Sequence, residues 1–169
     1  MSYRILFFIF IGILLSGCGF KPLYGNHTIG TASSNFLHIE INSIKDRDGQ
    51  QLRNELIRRL YGGNQRLAAI YRLKTELNES KSSLAVQKSA FATRGNLVKT
   101  ANFSLIRTDS GASDFNGASR VTVSYNILSS EFASLLSEKN ARERAVRELS
   151  EDIRVRLGVY FDRVGRSKG

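Results

Sequence analysis

Tyr71, Leu73, Thr75 and Leu77 alternate with Arg72, Lys74, Glu76 and Asn78. A period of two belongs to a strand with one face covered and the other wet, because successive side chains leave an extended backbone on opposite sides. Leu84 and Val86 resume the period after a polar break at Ser80 to Ser83. Residues 97–107 repeat it with Leu97, Ala101, Phe103 and Leu105 on one side, interrupted by Lys99. Asp109-Ser110-Gly111 supplies a hairpin-type turn, and Phe115, Val121, Val123, Tyr125 and Ile127 mark the returning strand. Gly117, inside that run, predicts a bulge or a sheet edge. Such a chain must find apolar surface to cover one side of a sheet.

Two helical patterns can provide it. Asp48-Gly49-Gln50-Gln51 predicts a helix start, with Asp48 as the cap and Gln51 as its capping-box partner. Leu52, Leu56 and Leu60 then recur every four residues with Ile57 alongside, while Arg53, Arg58 and Arg59 fall mostly off that stripe. Gly62-Gly63-Asn64 ends the helix. Within residues 131–164 a longer stripe runs through Ala141, Ala145, Leu149, Ile153, Leu157, Phe161 and Val164. The charged residues around it, Glu143 to Arg156, read as a solvated surface stitched by i, i+4 pairs. Ahead of both helices, Phe36 to Ile41 predicts a strand with Leu37, Ile39 and Ile41 inward and His38 on the polar side. The order β-α-β-β-β-α predicts an α+β fold: a two-layer sandwich of one four-stranded, mostly antiparallel sheet with two helices on one face. The other face, carrying Arg72, Lys74, Val98, Thr100, Ser104 and Ile106, would stay open and suggests a partner.

The start of the chain indicates where that partner would be met. Arg4 precedes an apolar run from Ile5 to Leu15, short of the ~20 residues a membrane-spanning helix needs but suited to the core of a signal peptide. Leu15-Ser16-Gly17-Cys18 follows, with the one cysteine of the chain. This tetrapeptide resembles the bacterial lipobox, in which the cysteine sulfur receives diacylglycerol, the signal peptide is cut before it and the new amino group is acylated. Two or more chains anchor a protein stably where one does so only marginally. The expected organisation is a lipoprotein signal peptide at 1–17, a lipidated flexible tether at 18–35 rich in Gly, Asn, Thr and Ser, a single domain at 36–165 and a disordered tail at 166–169. Gly19, where an Asp would resemble an inner-membrane retention signal, favours the outer membrane.

A formal net charge of +10 favours an anionic partner. Export weakens nucleic acid as that partner and leaves membranes and phosphorylated ligands. One cysteine excludes an internal disulfide, and two histidines, His27 and His38, leave little for a metal site or for histidine-dependent catalysis. No nucleophile elbow, Walker loop, H-E-x-x-H or dinucleotide fingerprint occurs, so an enzyme is not expected, nor a cofactor other than the acyl chains on Cys18. Arg94, Lys99, Arg107 and Arg120 fall on or beside the central strands, and Lys81 and Lys88 precede them. Cations held on a rigid sheet suit phosphate groups, arginine as a two-pronged fork and lysine as a point charge.

Four stretches resemble the LptE family of lipopolysaccharide-assembly lipoproteins: Gly17-Cys18-Gly19-Phe20-Lys21-Pro22-Leu23-Tyr24-Gly25, the helix start Asp48 to Leu56, Ala92-Thr93-Arg94, and Ser124-Tyr125-Asn126-Ile127-Leu128. Ala141-Arg142-Glu143-Arg144-Ala145 with Leu149 is also similar to the family, and residues 26–35 and 109–114 are not. The resemblance implies a lipid-anchored protein on the periplasmic side of the outer membrane. It would plug and help assemble an LptD-like β-barrel and bind lipopolysaccharide during its transport to the cell surface. It implies a sheet with two helices on one side, and basic residues as the glycolipid contacts, for which Arg94, Lys99, Arg107 and Arg120 are the candidates. The rival expectation is an auxiliary lipoprotein of an ABC-type lipid transport system, which can share such an anchor and such a small domain.

Overall fold

Apolar stripes on two helices cover one face of a four-stranded sheet in the computed structural model, which describes residues 34–84 and 93–167. The elements are β1 (Ile39–Ile41), α1 (Asp46–Tyr61), β2 (Tyr71–Leu84), β3 (Thr93–Arg107), β4 (Ser113–Ile127) and α2 (Glu131–Arg166). The strands lie in chain order, β1-β2-β3-β4. β1 pairs in parallel with β2, joined through α1 as a parallel pair requires, and β2, β3 and β4 are antiparallel, so the sheet is mixed. No helix among the described residues is long and apolar enough to cross a membrane.

The odd-numbered residues of β2 and β3 meet the helices. Leu73, Ala101, Phe103 and Leu105 bury against Leu52, Leu56 and Leu60 of α1 and against Leu149, Ile153, Leu157 and Phe161 of α2. At one end of this core Phe161 meets Phe36 and Tyr71 edge-on, while Tyr160 stacks on Phe115. At the other end a smaller cluster gathers Leu97, Val123, Ala141 and Ala145. Gly62 closes α1 in the left-handed conformation, φ 57°, and donates its N–H to Arg58 O, a helix stop that suits glycine. Ser130 caps α2 by accepting from the Ala133 N–H.

Several local expectations change. The first strand begins at Ile39, not Phe36. Residues 34–36 form a helical turn, so Phe36 rather than Leu37 enters the core, and the carbonyls of Leu37 and His38 accept N–H groups from Leu67, Ile70 and Tyr71. Ser34 and Asn35 belong to that turn instead of the tether, and Arg166, expected in the tail, ends α2. The serines at 80–83 do not break β2. They pair in register with β3 out to Leu84 opposite Arg94, because ladder hydrogen bonds join backbones whatever the side chains are. Val86 and Lys88 lie outside the described residues.

α1 starts at Asp46, two residues before the predicted cap, and its N-cap, Lys45, makes no side-chain cap bond. Asp48 is the third residue inside α1 and so is not its cap; its carboxylate is bonded to Lys99 instead. Gly117 lies on an edge strand, but the irregularity in pairing falls at Leu105/Ile106 instead. Gly117 faces Phe103 across the ladder, where a Cβ would come within 2.5 Å of Cζ, so the ring occupies the space a side chain would need.

Candidate functional site

Even-numbered residues point to the face that no helix covers. β3 contributes Asn96, Val98, Thr100, Asn102, Ser104 and Ile106. β4 contributes Arg120, Thr122, Ser124 and Asn126, and β2 contributes Arg72, Lys74, Glu76 and Asn78. Amides and hydroxyls dominate it, and Ser124 Oγ donates to Asn96 Oδ1 across the ladder at 2.8 Å. Arg94, exposed at the start of β3, sits opposite Asn126, and Arg120, also exposed, sits opposite Thr100. Six residues of strand separate these two positions, about 20 Å. A surface of this kind can exchange hydrogen bonds along its length, and Arg94 and Arg120 can meet anions there, while Arg72 and Lys74 lie beside Glu40 and Glu76.

Arg107 lies at the far end of β3, on the helix side. Its guanidinium binds Asp114 and lies 5.7 Å from the centre of the Tyr71 ring. The hydrogen bond to Asp114, with that group's charge, raises its pKa further above the ordinary arginine value. Arg107 remains about one-third exposed but is committed to an internal partner.

Lys99 is the main correction among the candidates. Its position in phase with Leu97 and Ala101 is no interruption: the ammonium points inward, 1% exposed, beneath the helices. It donates to Asp48 Oδ2 at 2.6 Å and to Glu79 Oε2 at 2.7 Å. Arg142 of α2 reaches the same Glu79 at 3.2 Å and also binds Glu138, which in turn binds Lys81. A ligand approaching the open face would not meet Lys99. The sequence did carry a signal for this in the parity of position 99, but its partners come from two other elements, α1 and β2, and share no spacing with it.

The ionic group lines a cleft of about 360 Å³ bounded by Lys45, Asp46, Arg47, Asp48, Leu77, Glu79, Lys99 and Arg142. Burial tends to raise the Glu79 pKa, but the hydrogen bonds from Lys99 and Arg142, with their charges, outweigh it and hold the carboxyl below its usual range. Stability tied to such a depressed group is present above the unfolded glutamate value of about 4.3 and is lost as pH falls through the folded one. We therefore expect the thermal midpoint to drop on acidification from about pH 5 towards pH 3. Glu79→Gln should be less stable at neutral pH and show a flatter profile, and an unchanged profile would mean that Glu79 does not carry the acid sensitivity.

Among the described residues no group of three or more His, Cys, Asp or Glu side chains could hold a metal ion. His38 hydrogen-bonds Ala68 O through Nδ1 at 2.8 Å, a structural use. Cys18 lies outside the described residues.

The family model described as "LptE: Lipopolysaccharide-assembly" matches residues 36–157. No curated protein sequence matches. Among solved structures, the chain is similar to a protein described as a lipoprotein, from Caulobacter crescentus CB15, at TM-score 0.63 and 22% identity, covering 80% of this chain and 98% of that one. It is also similar to a minor lipoprotein from Acinetobacter baumannii, at TM-score 0.56 and 14% identity, covering 74% and 94%. A neuraminyllactose-binding hemagglutinin homolog from Helicobacter pylori aligns at TM-score 0.51 and 12% identity, covering 76% and 85%. At these identities the likenesses establish the fold.

Proposed function

Since the chain belongs to the LptE family of lipopolysaccharide-assembly proteins, we propose that it plugs an LptD-like outer-membrane barrel from the periplasmic side, assists its assembly and binds lipopolysaccharide there. Lipid on Cys18 would hold it to the membrane. The observation that carries this reading is the uncovered sheet face. A barrel with an aqueous lumen has a polar interior, and this face offers it hydroxyls, amides and charges in place of an apolar interface. Arg94 and Arg120 are the proposed phosphate contacts, because both are exposed and neither is drawn into the network around Lys99.

Purifying the native protein in mild detergent tests the partner: an integral outer-membrane barrel should accompany it. Recovery with a substrate-binding or periplasmic bridging protein instead would favour the ABC-type transport reading. For the ligand, the double substitution Arg94→Glu, Arg120→Glu should weaken lipopolysaccharide binding at least about tenfold, the equivalent of one charge-assisted hydrogen bond. The circular dichroism spectrum and melting point should stay unchanged. Full binding by the folded double variant would remove both residues from the site.

A further inference from the structure

The loop between α1 and β2 holds two large apolar side chains in solvent: Leu67 is 48% exposed and Ile70 44%. The backbone around them is fastened on several sides. Leu67 N–H donates to Leu37 O, Ile70 N–H to His38 O, and Thr108 Oγ1 to the carbonyls of Ala69 and Ile70. His38 binds Ala68 O from the side. A loop fixed by so many bonds, with its apolar side chains outward, presents a firm apolar tip.

This tip lies where the chain enters the fold. Ser34, the first described residue, precedes Phe36, whose ring lies 6.0 Å from that of Phe161 near the end of α2. Leu37 and His38, the loop's backbone partners, follow directly. Sixteen residues lead from Cys18 to Ser34, a chain that reaches at most about 58 Å. The opposite end of the molecule carries another apolar group, Phe132, Leu135 and Leu136, on the overhanging first turns of α2. From Phe161 to Phe132 the helix runs about 44 Å. Bringing that end to the bilayer would stretch the linking chain to most of its full length, whereas the Leu67 end needs no stretching. Arg66 precedes the tip, and Arg163 and Arg166 stand in the last turn of α2, a composition that suits anionic headgroups.

We propose that Leu67 and Ile70 form a membrane-contact surface that dips into the headgroup and acyl boundary of the leaflet carrying the acyl chains of Cys18, with Arg66 at headgroup level. The proposal rests on the lipidation of Cys18. An anchor on a short chain makes the second contact intramolecular in effect, so a small apolar tip too weak to bind a membrane alone suffices. Its role is to orient the anchored domain on the leaflet before it enters a barrel.

The protein has no tryptophan, so single replacements report from one place. Acylated full-length Leu67→Trp, Ile70→Trp and Phe132→Trp variants would be reconstituted in phosphatidylethanolamine/phosphatidylglycerol vesicles, with and without brominated acyl chains. The expected result is blue-shifted emission quenched by brominated lipid at positions 67 and 70, and neither change at 132. Quenching at 132 alone, or equal exposure to water at all three, overturns the proposal. So does a blue shift at 67 and 70 without lipid quenching, which would mean contact with a protein or a second copy. Vesicle flotation separates the two premises. Protein that does not float refutes the lipid anchor, whereas floating protein whose introduced indoles at positions 67 and 70 stay in water refutes the contact surface alone.

Discussion

Lys99→Met lowers stability by about 3 kcal/mol, the low end of the range for removing one member of a buried ion pair. The low end applies because Asp48 and Glu79 keep roughly a quarter of their side-chain surface in water and Arg142 remains beside both. For a domain of this size the loss corresponds to a fall in melting temperature of roughly 6–12 °C. Arg94→Met, an exposed cation on the same strand, should change stability by no more than about 0.5 kcal/mol. The contrast distinguishes burial from charge, since each variant removes one positive charge from β3. Adding Glu79→Leu to Lys99→Met should lower stability further, because Arg142 still pairs with Glu79 in the single variant and loses that partner in the double. Thermal and urea denaturation measure all three, and a Lys99→Met protein as stable as the parent would show that the ionic layer does not hold the helices to the sheet.

Cys18→Ala produces the largest change in location. Each buried methylene of an acyl chain contributes about 0.8 kcal/mol to membrane binding, and two or three chains together make the attachment stable. No helix among the described residues can replace them, and two partly exposed apolar side chains at residues 67 and 70 bind far too weakly to do so alone. The variant should therefore be recovered either as uncleaved precursor or in the soluble periplasmic fraction, with the diacylglyceryl mass missing from the N-terminal peptide. Absence of the diacylglyceryl mass from the parent protein's N-terminal peptide would refute the anchor and, with it, the membrane contact inferred for the α1–β2 loop. An unacylated variant that still fractionates with the outer membrane would be held there by the barrel.

Much of the fold was legible because its signals are local. The leucines of α1 at steps of four, the longer stripe of α2 and the alternation in β2 each follow from backbone geometry that any short segment carries by itself. The misjudged places depended on distant contacts. Ser80 to Ser83 look like a break until β3 pairs with them, and Leu37 looks inward until the turn at 34–38 brings Phe36 against Phe161 instead. Asp48 looks like a helix cap, yet α1 starts two residues earlier and the carboxylate bonds a lysine fifty-one residues later.

The candidate site divides in the same way. The family resemblance was readable from short stretches, and the match over residues 36–157 supports it. The open face was readable too, since its residues are simply the even members of alternating strands. Sequence alone could not sort the four candidate cations. Arg94 and Arg120 face outward, whereas Arg107 shares the odd parity of Lys99 on β3, and parity does not show that Asp114 binds the one and Asp48 and Glu79 the other.

The sequence by itself determined which segments are helices and strands, which face of each is apolar, and that the chain carries excess positive charge, because these depend on residue type and on a backbone period a few residues long. Only the tertiary structure decided which positive charges are free to meet a ligand. A buried cation is tolerated where counter-charges from other elements converge on it, and the meeting of Asp48, Glu79 and Arg142 around Lys99 arises only when α1, β2, β3 and α2 pack together.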